Sequence, residues 1–228
     1  MDPISERHLE NTKNQLLYIS VSFLLTLLLA FLSLGLGSST SLDLFTTIKI
    51  LFGFETGSEM QLAIIWDIRF PRILMAIVGG AALAIAGSLM QGCLGNPLVS
   101  PLTLGVASGA ALGAATAIVF EFSINSNSDL AIVANAFIFS LIVVAVIIQL
   151  GNFRSVSAES YILVGIAVTF IAGALVSIMQ YFATEIQLSQ LAHWSFGSLS
   201  RPTLVKTLWI SVALIGLLPS ALKKAWDL

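Results

Sequence analysis

Arg69 and Arg72 bracket Pro71 in the run W-D-I-R-F-P-R at 66–72, and no other charges in the chain have a setting so suited to recognition. A guanidinium is planar, permanently charged and able to grip a carboxylate through two parallel hydrogen bonds. Both arginines stand at the start of an apolar segment, where a cation meets an unfavourable helix dipole worth roughly 0.3–1 kcal/mol. Their placement therefore needs a reason. They can present donors to carboxylates of a protein docking from outside a membrane, snorkel to lipid phosphates, or be neutralised in the case of Arg69 by Asp67.

What is absent narrows the chemistry further. No apolar segment carries Asp, Glu, Lys, Arg or His away from its ends, whereas proton- or ion-coupled carriers need such groups inside the membrane. There is no G-x-x-x-x-G-K-[ST] phosphate loop, so uphill transport would draw its energy from another subunit. His8, His193 and Cys93 are far apart in sequence, which argues against a metal site; His193 beside Trp194 suits a headgroup-level anchor. No catalytic residue and no cofactor is expected.

The elements that must hold these residues are membrane helices. Hydrophobic residues make up 57% of the 228 and charged residues 10%, with mean hydropathy +0.97, a balance foreign to soluble domains. The reading is an all-α polytopic membrane protein, one transmembrane domain over 1–228, with six spans at 16–37, 72–91, 102–120, 130–150, 161–184 and 204–222. The 42–52 piece is too short and too charged to cross and is expected to lie at the outer surface. The first span is preceded by a polar segment without the features of a signal peptide.

Three spans carry small residues every fourth position: Ala76, Gly80, Ala84 and Ser88; Gly105, Gly109, Gly113 and Ala117; Gly165, Thr169, Gly173 and Ser177. In lipid, close backbone approach over such stripes is what holds helices together. Pro97 and Pro101 withhold backbone donors and restrict the residues before them, so 92–100 is expected to be a turn. Gln91 and Asn96 bracket it, placed to satisfy backbone groups that burial would make costly to leave unpaired.

R-F-P-R at 69–72, G-G-A-A-L-A-I-A-G-S-L-M-Q at 79–91 and N-P-L-V-S-P-L-T-L-G-V-A-S-G-A at 96–110, in this order and spacing, resemble the permease subunits of ABC importers that take up iron-siderophores, haem and cobalamin. The similarity continues more weakly through E-S-Y-I-L-V-G-I-A at 159–167 and H-W-S-F-G-S-L at 193–199. The chain can be laid against the amino-terminal two thirds of that family, whose members have about ten spans. The resemblance implies a permease of the bacterial plasma (inner) membrane that works with an ATPase subunit, an extracytoplasmic substrate-binding protein and a second permease copy, and with no nucleic acid. It implies that Arg69 and Arg72 meet acidic residues of the binding protein, and that a pathway runs along the second, third and fifth helices. It also implies a cytoplasmic gate at Ser157, Ala158, Glu159 and Ser160, although an acidic Glu159 departs from the small hydroxyl residues usual there, and a loop carboxylate paired with Arg154 is an equal alternative.

Orientation follows from the resemblance, because five basic residues fall on each side of the proposed topology. The chain ends at Trp226-Asp227-Leu228, about where the family's coupling segment to the ATPase would begin. The remainder is then expected on a second polypeptide or missing, which leaves a non-transporting packing fragment as the alternative function and a secondary carrier as a weaker one.

Overall fold

A computed structural model describes residues 3–37, 42–121, 128–151, 157–199 and 202–225, and every regular element among them is helical. In order these are α1 (Pro3–Gly35), α2 (Leu44–Leu51), α3 (Glu59–Ala63), a π-helical segment (Ile64–Arg69), α4 (Phe70–Leu94), α5 (Val106–Val119), α6 (Ser128–Gly151), α7 (Ala158–Phe182), α8 (Glu185–Ser195) and α9 (Leu204–Ala225). The chain divides into two compact units, Met1–Val78 with Leu199–Ile210, and Gly79–Ser198 with Ser211–Leu228.

Among the described residues, five helices are long and apolar enough to cross a bilayer: Asn11–Gly35, Glu59–Leu94, Asp129–Leu150, Glu159–Phe182 and Leu204–Lys224. Where a span over 102–120 was expected, the structure has a shorter apolar helix. Helix α5 has 14 residues, about 21 Å of rise against the roughly 30 Å of a hydrocarbon core. The second span also differs from the expected 72–91. It is the end of a 36-residue helix beginning at Glu59, about 54 Å long, so Arg69 and Arg72 lie inside a helix rather than at its amino terminus. The dipole penalty argued from sequence therefore does not apply to them.

In the first unit, local capping sets the short elements. Asp43 Oδ1 accepts from the Thr46 N–H at 3.0 Å and starts α2. Ser58 and Gln61 form a reciprocal box, Ser58 N–H to Gln61 Oε1 at 2.9 Å and Gln61 N–H to Ser58 Oγ at 3.3 Å, which starts α3. The inward face of α2 buries Thr47 and Ile50, and Ile50 packs with Leu42 and Ile65. Gly35, ending α1, lets Leu44 approach so closely that a Cβ there would lie 2.5 Å from the Leu44 Cβ.

In the second unit α5 is the central helix, packed on by α6, α7 and α8. Its Ala114, Ala115, Ala117 and Ile118 are buried. Gly109 faces Val143 and Gly113 faces Asn135, so α6 runs antiparallel to α5. Gly105 meets Gly165, and Ser108 Oγ donates to Thr169 Oγ1 at 3.3 Å, so α7 runs parallel to it. At the far end Leu191 of α8 closes over Ala115 and Ile118, with Val176, Met179 and Trp194 against them.

Candidate functional site

The two arginines of the R-F-P-R run do different things. Arg72 is exposed, whereas Arg69 is 6% exposed with its guanidinium inside the first unit. Its Nη1 donates to the Leu34 carbonyl and, at 3.3 Å, to Thr47 Oγ1, and its Nη2 donates to the Leu42 carbonyl at 3.2 Å. Thr47 in turn donates to the Asp43 carbonyl at 2.9 Å. Leu34 belongs to the last turn of α1, whose carbonyls lack helical partners and carry the negative end of the helix dipole. That is how a buried cation is tolerated among neutral acceptors. Asp67 is exposed, away from the buried guanidinium.

A π-helical segment ends at Arg69, the inward-facing member of the pair. Ile65 and Arg69, four residues apart, are both buried, and α-helical phase would carry the same inward face on past Arg69. The Phe70 N–H bonds back five residues to the Ile65 carbonyl. From Phe70 on the helix is α-helical, and Arg72, three residues past Arg69, is exposed. Pro71, buried and without an N–H, follows directly, and the wider turn accommodates the i−4 bond it cannot make. Nothing in residue types alone announces a π turn; Pro71 inside an apolar run is the one hint.

The proline corner is longer than expected. Helix α4 runs to Leu94 and closes with Gly95 at φ +57, the Gly95 N–H to Gly92 O at 3.2 Å and the Asn96 N–H to Gln91 O at 3.2 Å, a Schellman end. Residues 95–105 are turns, and α5 begins only after Gly105 at φ +78. Gln91 Nε2 donates to the Pro97 carbonyl at 3.1 Å, and Asn96 Oδ1 accepts from the Leu98 N–H at 2.9 Å. Around Pro101, Ser100 and Thr103 exchange backbone-to-hydroxyl bonds, Ser100 N–H to Thr103 Oγ1 at 2.8 Å and Thr103 N–H to Ser100 Oγ at 3.3 Å. Leu98 stands exposed, while Val99 and Leu104 anchor the corner inward.

The glycine stripes divide in the same way. Gly105, Gly109, Gly113 and Gly165 sit at close backbone approaches, and a Cβ on Gly113 would overlap the Asn135 carbonyl oxygen. At Gly80 and Gly173 a Cβ meets nothing within 4 Å among the described residues. Ala84 and Ser88 are exposed on the same helix as Gly80. Four-residue spacing says that a face can admit a close neighbour, not that this chain supplies it.

Of the 157–160 segment, Ser157 is the N-cap of α7, Ser157 Oγ and Ser160 Oγ lie 3.3 Å apart, and Glu159 is exposed. Arg154, the alternative partner for Glu159, lies outside the described residues. His193 is exposed on α8, beside a half-buried Trp194. Sequence reasoning missed Gln187. It completes a capping box with Thr184, and its Nε2 donates to the Val119 carbonyl at 3.3 Å and to Glu121 Oε1 at 3.1 Å, closing the end of α5. The T-x-x-Q pattern at 184–187 could have flagged the cap, though not the bond across to α5.

Comparison with known proteins places this arrangement. The FecCD transport family matches residues 25–228. The chain is 37% identical over 185 residues to the hemin transport system permease protein HmuU of Yersinia pestis, covering 80% of this chain and 54% of that one. It is 34% identical over 219 residues to the molybdate import system permease protein MolB of Haemophilus influenzae, covering 92% and 63%. A solved metal-chelate type ABC transporter in an inward-facing conformation superimposes with TM-score 0.64 at 33% identity, over 82% of this chain and 55% of that one. The chain thus spans between about half and two thirds of the length of these relatives. With helices of membrane length, a match across nearly all its residues and the same fold at 33% identity, this chain belongs to the FecCD transport family of ABC transporter permeases, membrane proteins that are not enzymes.

Proposed function

We propose that this chain builds part of the translocation pathway of an ATP-binding-cassette importer in the plasma (inner) membrane. Its partners are an ATPase subunit, an extracytoplasmic substrate-binding protein and a second permease copy or homologous permease. The cargo class is a metal chelate or metal oxyanion, with an iron chelate such as a siderophore or haem as the specific reading. The observation that carries this is the unbroken family match over residues 25–228. The missing phosphate loop fits a pathway driven by a separate motor.

In this reading Arg72, exposed above the apolar part of α4, meets carboxylates of the binding protein. In this reading the segment Ser157, Ala158, Glu159 and Ser160 closes the pathway. The test reconstitutes the chain with its candidate ATPase and binding protein in proteoliposomes and follows uptake of a ferric siderophore, haem, cobalamin and molybdate. ATP-dependent uptake of one of them supports the proposal. No uptake in the full assembly supports a non-transporting packing subunit, and gradient-driven flux without ATPase supports a carrier. Arg72→Glu should weaken docking and make what remains less sensitive to salt; unchanged affinity removes the docking role.

A further inference from the structure

We infer that Arg69 is an internal pin of the fold rather than a docking residue, and that the R-F-P-R pair is divided into one inward guanidinium and one outward guanidinium. The outward half rests on the docking reading above. The inward half does not.

The pin joins three pieces of chain that are far apart in sequence: Leu34 at the end of α1, Leu42 before α2 and Thr47 on the inner face of α2. Each of the two terminal nitrogens already has an acceptor, and Arg69 is nearly as buried as the Leu42, Ile50 and Ile65 cluster beside it. Withdrawing the guanidinium to meet a partner's carboxylate would strip the Leu34 and Leu42 carbonyls of a charged donor. Hydrogen bonds to charged groups count for more than neutral ones, so the outward conformation is disfavoured. Gly37 supports the same conclusion independently. A Cβ there would lie 2.8 Å from Arg69 Nη2 and 3.2 Å from Cζ, so the chain leaving α1 passes directly over the guanidinium and needs glycine to do so. Arg72 lies three residues on in the same continuous helix, so fixing Arg69 also fixes the direction in which Arg72 points. Arg69 is in that sense a positioning residue.

The test uses the full chain in lipid nanodiscs and p-hydroxyphenylglyoxal, a reagent for accessible guanidinium groups, with modification at each arginine read by peptide mass spectrometry. Arg72 is expected to react at least about tenfold faster than Arg69, the factor expected when a buried charged hydrogen bond must first open. Thr47→Val and Gly37→Ala should each raise the reactivity of Arg69 and leave that of Arg72 unchanged, while Thr47→Ser, which keeps the hydroxyl, should restore protection. Equal reactivity of the two arginines in the unaltered chain overturns the inference, as does a failure of Arg72 to react. Protection of Arg69 that survives both Thr47→Val and Gly37→Ala overturns the pin as drawn. If a variant fails to fold, the comparison within the unaltered chain still decides. No binding protein enters this measurement, so normal docking by Arg72→Glu would sink the docking reading and leave the pin standing.

Discussion

Gly105 and Gly165 meet backbone to backbone. A Cβ on Gly105 would lie 2.9 Å from the Gly165 carbonyl oxygen, and one on Gly165 would lie 2.5 Å from the Thr103 carbonyl oxygen and 2.7 Å from the Leu104 Cα. The atoms in the way are main chain and cannot rotate aside. This contact ties the end of the proline corner to the first turns of α7.

Gly165→Ala should therefore destabilise by about 1–3 kcal/mol, the usual cost of overpacking a well-filled site. Gly105→Ala adds a left-handed backbone at φ +78, worth roughly a further 1 kcal/mol. Reversible unfolding in mixed detergent micelles measures both. A loss below about 0.5 kcal/mol at either position, the range of an ordinary surface change, would show that the approach is not as close as described.

How far the sequence showed this in advance depends on the residue. Gly109 and Gly113 advertised their packing by spacing, and α6 lies against both. Gly80 has the same spacing and no neighbour within 4 Å among the described residues, because periodicity encodes a bare face and leaves its occupant open. Pro97 and Pro101 placed the corner, but its length follows from Gly95 and Gly105 taking positive φ, which a string of glycines does not reveal one by one. The surroundings of Arg69 are hidden from the sequence for a related reason. Its burial rests on acceptors as distant in sequence as Leu34.

Gln187 is a single side chain with two tasks. Its carbonyl oxygen accepts from the Thr184 N–H at 3.0 Å, and its amide donates to Val119 and Glu121 at the end of α5. Gln187→Ala should cost about 1–2 kcal/mol, the sum of a lost cap and an unfilled carbonyl. Gln187→Glu removes the donor and sets a carboxylate against Glu121, so it should be worse than alanine near neutral pH and recover when Glu121→Gln is added. Thermal unfolding of the three variants checks this order; alanine and glutamate variants of equal stability would deny the bond to Glu121.

Asp43 gives the cap on α2 a pH dependence. The Thr46 side chain and then the Thr46 N–H hydrogen-bond its carboxylate and hold its pKa below the ordinary 3.8. A depressed acid contributes stability that is complete above its unfolded-state pKa and is lost as pH falls through the lower folded value. The cap on α2 should then be intact at neutral pH and fade only below about pH 4. Asp43→Asn keeps an acceptor without the charge, so proteolysis within Leu44–Leu51 should accelerate on acidification in the native chain and change less in the variant. Equal acceleration in the two would assign the effect to another group.

Gly80 and Gly113 offer the sharpest contrast, because they share a residue type and a place in a four-residue repeat but differ in surroundings. At Gly113 a methyl would overlap the Asn135 carbonyl, with the Asn135 carbonyl carbon at 2.8 Å and the Phe139 Cβ at 2.9 Å. At Gly80 it would meet nothing within 4 Å among the described residues. Gly113→Ala should lose about 1–3 kcal/mol through the α5–α6 contact. Gly80→Ala in this chain should be neutral or gain up to about 1 kcal/mol, since alanine is the better helix former. If Gly80→Ala is neutral in the isolated chain but destabilises the assembled importer, the bare face of α4 is filled by another subunit. If it destabilises the isolated chain, α4 has a partner within this chain that its described neighbours do not include.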